Sequence, residues 1–375
     1  MLLARIGVLL WALLLAPAVQ GAECARPWPA WQKFKQHYLS EDGRVIDAST
    51  TQRITVSEGQ AYALMFALIG NDPTSFDLAL AWTRNNLAAG DLGRTLPAWK
   101  WGHAEDGRWT LLDPNAASDA DLWIAYALDQ AARLWHRGAY AATAQALSES
   151  ILREEVAWVP GLGSSLLPGP RGFVVGQTWR LNASYAPLQV LRALAAGSDH
   201  ELWDRVRESS LRIILASAPR GYAADWIGFR SSEGFVIDAA THGAGSYNAI
   251  RVYLWAAMLA ESDPDAGALK RALTPAIEAA AEHPPAESID THTLEGRGEG
   301  PAGFIAALLP ALVRDKRVQT VERYRKQVEA AALKDDQHYY SDALSVFALG
   351  WLDGRYRFDR QGRLEVAWTG PCRAP

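Results

Sequence analysis

The sequence predicts an all-α protein, a ring of helical hairpins, on three observations. Apolar residues recur at helical spacing along the chain, and no strand-like alternation runs longer than a few residues. Three polar helix starts are also separated by whole hairpin lengths. The 375 residues are 49% hydrophobic and 21% charged with net charge -5, which leaves room for a large core. That balance suits neither nucleic acid nor an anionic membrane surface as a partner. No Gly/Ser or Pro linker divides residues 22–375, so they read as one domain.

Arg5 precedes an apolar run from Ile6 to Val19 that ends in small residues, with Val19 and Gly21 placed for cleavage before Ala22. Residues 1–21 therefore read as a cleavable export signal, too short and weakly flanked for stable membrane insertion. Glu23, rather than a small residue, precedes Cys24, which argues against a lipoprotein signal. A periplasmic or secreted protein is expected. Cys24 and Cys372 lie at opposite ends of the mature chain. In an oxidising compartment they either pair as a disulfide, bringing the termini of a closed ring together, or stay as two thiols on the chain ends. Two Cys do not make a typical zinc site and the eight His show no HExxH spacing, so no metal or organic cofactor is expected.

Three stretches carry the helical pattern most clearly. Ser57 is followed by Ala61, Leu64, Met65 and Leu68; Ser118 by Leu122, Ala125, Leu128 and Trp135; Ser246 by Ile250, Leu254 and Met258. "PGLGSSLLPGPRG" (160–172) and "HPPAES" (283–288) read as ordered loops between helices. Glu58, Asp119 and Asn248 fall in the first turns of the three helices. Taken singly, each is explained as a cap or dipole partner, with Ser118 accepting from the backbone and Asp121 reaching back as in a capping box. Their spacing says more. Asp119 lies 61 residues after Glu58, and Asn248 a further 129 after Asp119, close to one and two hairpins of roughly 59 residues each. If inner and outer helices alternate around a ring, all three starts open on one rim.

A carboxylate-lined cleft suits glycosidic bond cleavage. One carboxyl protonates the leaving oxygen and a second group acts on the opposite face; inverting enzymes leave about 6.5–9.5 Å between the two for water. A helix N-terminus favours the ionised form of Glu58, whereas a general acid must keep its proton, so burial beside aromatic rings has to win. The chain has 16 Trp and 12 Tyr against 9 Phe. Such rings pack cores and also stack on sugars.

The motifs "TVSEGQAYALMFAL" (55–68), "LPAWKWG" (96–102), "NAASDADLWIAYAL" (115–128), "EEVAWVPGLGSSLLPG" (154–169) and "GSYNAIRVYLW" (245–255) resemble glycoside hydrolase family 8. The likeness is to its branch of periplasmic endoglucanases encoded with bacterial cellulose synthase, and runs from residue 28 to Cys372. It implies an (α/α)6 barrel, inverting hydrolysis of β-1,4-glucan (cellulose) chains, and a role in cellulose biosynthesis beside synthase components. Carried over by motif, Glu58 is the proton donor and Asp119 grips and distorts the sugar at the cleavage point. Trp99 and Trp101 offer stacking faces, and Asp121, Tyr185, Tyr247 and Arg251 are polar candidates for substrate binding along the cleft. Core packing or surface pairing explains Trp99, Trp101, Tyr185 and Arg251 nearly as well.

The departure is Asn248, where close relatives in the family carry the Asp that activates water. An amide orients water but does not take its proton, and losing a general base costs about 10²–10⁴ in rate. Asp238 and Glu233, within "SSEGFVIDAATHGAG", or Asp119 itself, are the alternative bases. Otherwise the chain is a glucan-binding homologue with weak or no catalysis. A family 8 chitosanase or xylanase is the remaining alternative.

Overall fold

The computed structural model describes residues 27–197, 199–332 and 338–369; the export signal, Cys24 and Cys372 lie outside them. The described residues hold twelve α-helices: α1 (Pro29–Tyr38), α2 (Ser57–Ile69), α3 (Pro73–Leu87), α4 (Ser118–Trp135), α5 (Gly138–Glu154), α6 (Leu188–Leu194), α7 (His200–Ser217), α8 (Ile250–Met258), α9 (Ala266–Glu282), α10 (Ala302–Arg314), α11 (Val318–Ala331) and α12 (Tyr339–Leu352).

Composition sorts them into two layers. In α2 every residue except Glu58 is buried, and α4 is buried continuously from Ser118 to Leu128. A helix apolar all round belongs inside. By contrast, α11 buries only Thr320, Tyr324 and Val328, a single stripe at i, i+4 and i+8 that marks an outer helix. The inner helices close on themselves: α2 packs on α4, α4 on α6, α8 on α10, α10 on α12, and α12 back on α2. The 3-10 turn Ala183–Tyr185 contacts α4, α7 and α8 and bridges the remaining gap. Each inner helix is followed by its outer partner, with α1 lying against α12. This is the expected (α/α)6 barrel.

Aromatic side chains fill the barrel below the rim. Phe347 lies 4.6 Å from Phe66, 5.1 Å from Tyr62 and 5.2 Å from Trp255, and Trp123 lies 5.1 Å from Trp255. Each such pair adds about 0.5–1.5 kcal/mol beyond its burial. Gly303 lets the helices around this core approach closely: a Cβ there would lie 2.5 Å from the Cα of Ser341.

The absence of long strands is corrected. Ala98–His103 pairs antiparallel with the eight-residue strand Trp109–Ala116 in the α3–α4 connection. Between α5 and α8 lie the hairpin Val156–Val159/Gly163–Leu166 and a four-stranded sheet spanning residues 174–237. Part of the expected 160–172 loop is therefore strand. Their alternation is weak because these strands are only partly covered and register shifts interrupt the pairing between Ala98 and Trp101. Several of these connections lie on the side of the barrel where the inner helices begin, which raises walls around a cleft.

Candidate active site

The starts of α2, α4 and α8 meet at one guanidinium. Arg251, in the first turn of α8 and 2% exposed, donates from Nη1 to Glu58 Oε1, to Asp119 Oδ2 at 2.9 Å and to Tyr62 Oη at 3.3 Å. From Nη2 it donates to Ser184 Oγ at 3.1 Å and to Asn248 Oδ1 at 2.9 Å. The ring of Tyr185 lies 5.5 Å from the same guanidinium. Burial opposes the charge on Arg251, but Tyr62, Tyr340, Glu58 and Asp119 more than offset it and raise its pKa above the ordinary value. Arg251 is thus a permanent cation at the base of the cleft.

Asp119 is the reverse case. Burial, then the negative charge of Glu58, push its carboxyl well above the usual range against the pull of Arg251. The Glu58 side chain is 21% exposed and that of Asp119 only 2%. Glu58 therefore faces the cleft while Asp119 stands behind it. A cavity of about 140 Å³ opens above them, lined by Val56, Glu58, Tyr62, Tyr247, Asn248, Arg251, Tyr339 and Tyr340. A larger one of about 320 Å³ lies between α8, α9 and α10, where Lys270 and Asp315 are already paired at 3.2 Å. The acid cluster, rather than cavity size, marks the site.

Glu58 and Asp119 accept from one guanidinium nitrogen of Arg251, and Asn248 accepts from the other.

The chain matches the model for glycosyl hydrolases family 8 over residues 6–354. An endoglucanase of Xanthomonas axonopodis pv. citri (strain 306) is 43% identical over 364 residues, 96% of this chain and 94% of that protein. An endoglucanase of Escherichia coli (strain K12) is 41% identical over 369 residues, 98% of each chain. The chain belongs to the family 8 glycosyl hydrolases. The crystal structure of an endo-1,4-D-glucanase from Vibrio fischeri ES114 superposes with a TM-score of 0.88 at 42% identity, covering 92% of this chain and 100% of that one. This family 8 chain is therefore an enzyme, a glycoside hydrolase with the barrel fold.

Within that framework the structure brings together Glu58, Asp119, Asn248, Arg251 and Tyr185, and adds Tyr247, whose exposed ring lines the cleft and whose hydroxyl donates to Glu287 Oε1 at 2.7 Å. Other expectations are corrected. Asp121 does not reach the cleft: it is 0% exposed and its carboxyl lies beside that of Glu155 at the end of α5. Burial first, then neighbouring negative charge, raises both pKa values. Asp121 forms no capping box either, since Ala117 precedes the helix and Ser118 Oγ has no partner. Ser246 does not open a helix; α8 begins at Ile250, and Asn248 sits in the turn before it.

Trp101 is not an open stacking face. Trp109 stacks on it at 5.1 Å, and the Arg44 guanidinium lies 4.3 Å from its ring. Trp99 is half-buried against the core with Lys100 Nζ 5.6 Å from its ring. Of the alternative bases, Asp238 is 5% exposed and locked by Arg180 at 2.8 Å and by Thr241. These partners outweigh its burial and hold its pKa below the usual range. Glu233 sits on the outer turn of the four-stranded sheet, paired to Arg230 at 3.1 Å.

Sequence reasoning missed Tyr62, Tyr339, Tyr340 and Asp225. Tyr62 lies one turn after Glu58 on the same face of α2, and Tyr339 and Tyr340 open the inner helix α12, so the helix-start rule that found Glu58 also reaches them. A Cβ at Gly59 would lie 2.8 Å from Tyr339 Oη, which explains the Gly of "SEG". Asp225 carried no local signal.

Proposed function

We propose that this chain is an endo-β-1,4-glucanase that cleaves cellulose-type chains with inversion. In this reading Glu58 protonates the leaving oxygen, Asp119 grips the sugar at the cleavage point, and Arg251 holds both in register. The observation that carries it is the Glu58–Asp119 pair, held by one nitrogen of Arg251 at a cleft rimmed by Tyr247, Tyr339 and Tyr340. Burial and the charge of Glu58 favour the protonated form of Asp119, which keeps a proton beside the donor. The endoglucanases that match along nearly the whole chain support the substrate class.

The apolar N-terminal segment further supports export and cleavage at residue 21, a single mature catalytic domain in the periplasm, and service to cellulose biosynthesis beside synthase components. N-terminal sequencing of the protein from a periplasmic extract should begin at Ala22. For the activity, reducing ends released from carboxymethyl-cellulose should fall about 10²–10⁴-fold in Glu58→Gln, with cellopentaose binding unchanged. Equal turnover in that variant would sink the assignment. Asn248 favours a second reading, a glucan-binding homologue with little catalysis. Tight cellopentaose binding without products, converted to turnover by Asn248→Asp, would select it.

A further inference from the structure

With Asn248 unable to take a proton, an active enzyme needs another base, and the carboxylate nearest that turn is Asp225. Its Oδ1 accepts three backbone N–H groups, from Ser246 at 2.9 Å, Asn248 at 3.0 Å and Ala249 at 2.7 Å. The contact is close because residue 245 is glycine: a Cβ there would lie 2.2 Å from the Ala223 carbonyl oxygen. The Asp225 N–H also bonds the Ala244 carbonyl at 2.8 Å. Asp225 Oδ2 has no hydrogen-bond partner among the described residues.

The carboxylate lies within electrostatic range of Arg251 and Tyr340, both of which line the cleft. The neighbouring Trp226 ring lies 6.0 Å from Tyr185, which lies beneath Arg251. Asn248 commits its Oδ1 to Arg251, so its Nδ2 is left to donate.

We propose that Asp225 is the general base of this enzyme, acting through Oδ2 on a water that the Asn248 amide orients. This rests on the function proposed above. The water oxygen attacks the anomeric carbon as Asp225 takes one of its protons. The bond from that carbon to the leaving oxygen breaks as Glu58 gives that oxygen its proton. One proton enters and one leaves the carboxyl groups, and the product is inverted. Asn248 and Asp225 divide a task that a single Asp performs elsewhere: the amide orients the water and the carboxylate, fixed by three N–H donors, accepts from it. The charged and titratable groups facing Asp225 are Arg251, Tyr253 and Tyr340. Burial outweighs the N–H donors and Arg251 and raises the Asp225 pKa, in the direction that strengthens a base.

Asp225→Asn keeps an oxygen for the three N–H groups and removes only the basic atom. On cellopentaose it should lower kcat by about 10²–10⁴ with little change in KM, and the acidic limb of the pH–rate profile should disappear. Asn248→Asp in the same chain should restore turnover. Azide, which needs no deprotonation, should rescue Asp225→Ala and yield the α-glycosyl azide. Asp225→Asn within threefold of wild type overturns the proposal. So does a loss that persists with Asn248→Asp and without azide product, which would make Asp225 a prop for the turn. A wild type that binds cellopentaose without cleaving it overturns the function reading and the base with it, whereas an active wild type with an unaffected Asp225→Asn removes the base alone.

Discussion

Asp119 and Asp121 stand two residues apart in one motif and both are buried carboxyls beside a glutamate, yet only Asp119 meets the Arg251 guanidinium. Two residues turn a helix by about 200°, so Asp119 points toward the barrel axis and Asp121 toward α5. At the axis Asp119 meets Glu58 and the cation of Arg251 beneath an open cleft. In the wall Asp121 meets Glu155, and none of the four carboxylate oxygens has a hydrogen-bond donor among the described residues. A buried pair of carboxyls is therefore not in itself a site. The cation that holds them in register and the cleft that admits substrate separate the chemical pair from the structural one.

The comparison can be broken at the cation first. Arg251→Met should leave Asp119 buried without its counter-charge, costing about 3–5 kcal/mol in a denaturant titration and abolishing detectable turnover. Next, Asp119→Asn should retain the fold and lower kcat by about 10²–10³, measured on cello-oligosaccharides. Asp121→Asn should act on stability and leave kcat within about threefold, because its amide can donate to Glu155. Its sign follows from linkage. A carboxyl whose folded pKa is raised binds more protons folded than unfolded, so its contribution is full at low pH and is lost as pH climbs from the unfolded value near 4 toward the raised one. The melting temperature of Asp121→Asn minus that of wild type should thus grow as pH rises from 5 to 8. The smallest effect is expected at Trp101→Phe, whose ring is already covered by Trp109 and Arg44: KM should change less than about twofold.

Much of the fold was legible because inner helices must be apolar all round. "AYALMFALI" and "DLWIAYAL" have no other home, and the spacing of their starts carried the ring order. The rim strands were not legible, since partly covered strands with shifted register lack period-two alternation. Glu58 and Asp119 could be found from helix starts, whereas Asp121 shows the limit of that rule: position in a first turn does not say which way a carboxyl points. Asp225 was beyond local reading. It reaches the 246–249 turn from more than 20 residues away in sequence, through a backbone approach that only the fold creates.

The central claim, that Glu58 and Asp119 work from one face while water arrives from the other, is tested most directly by the anomer first released. Proton NMR of fresh cellopentaose digests should show α-anomeric reducing ends before mutarotation mixes them. β-Anomeric ends appearing first would contradict the account.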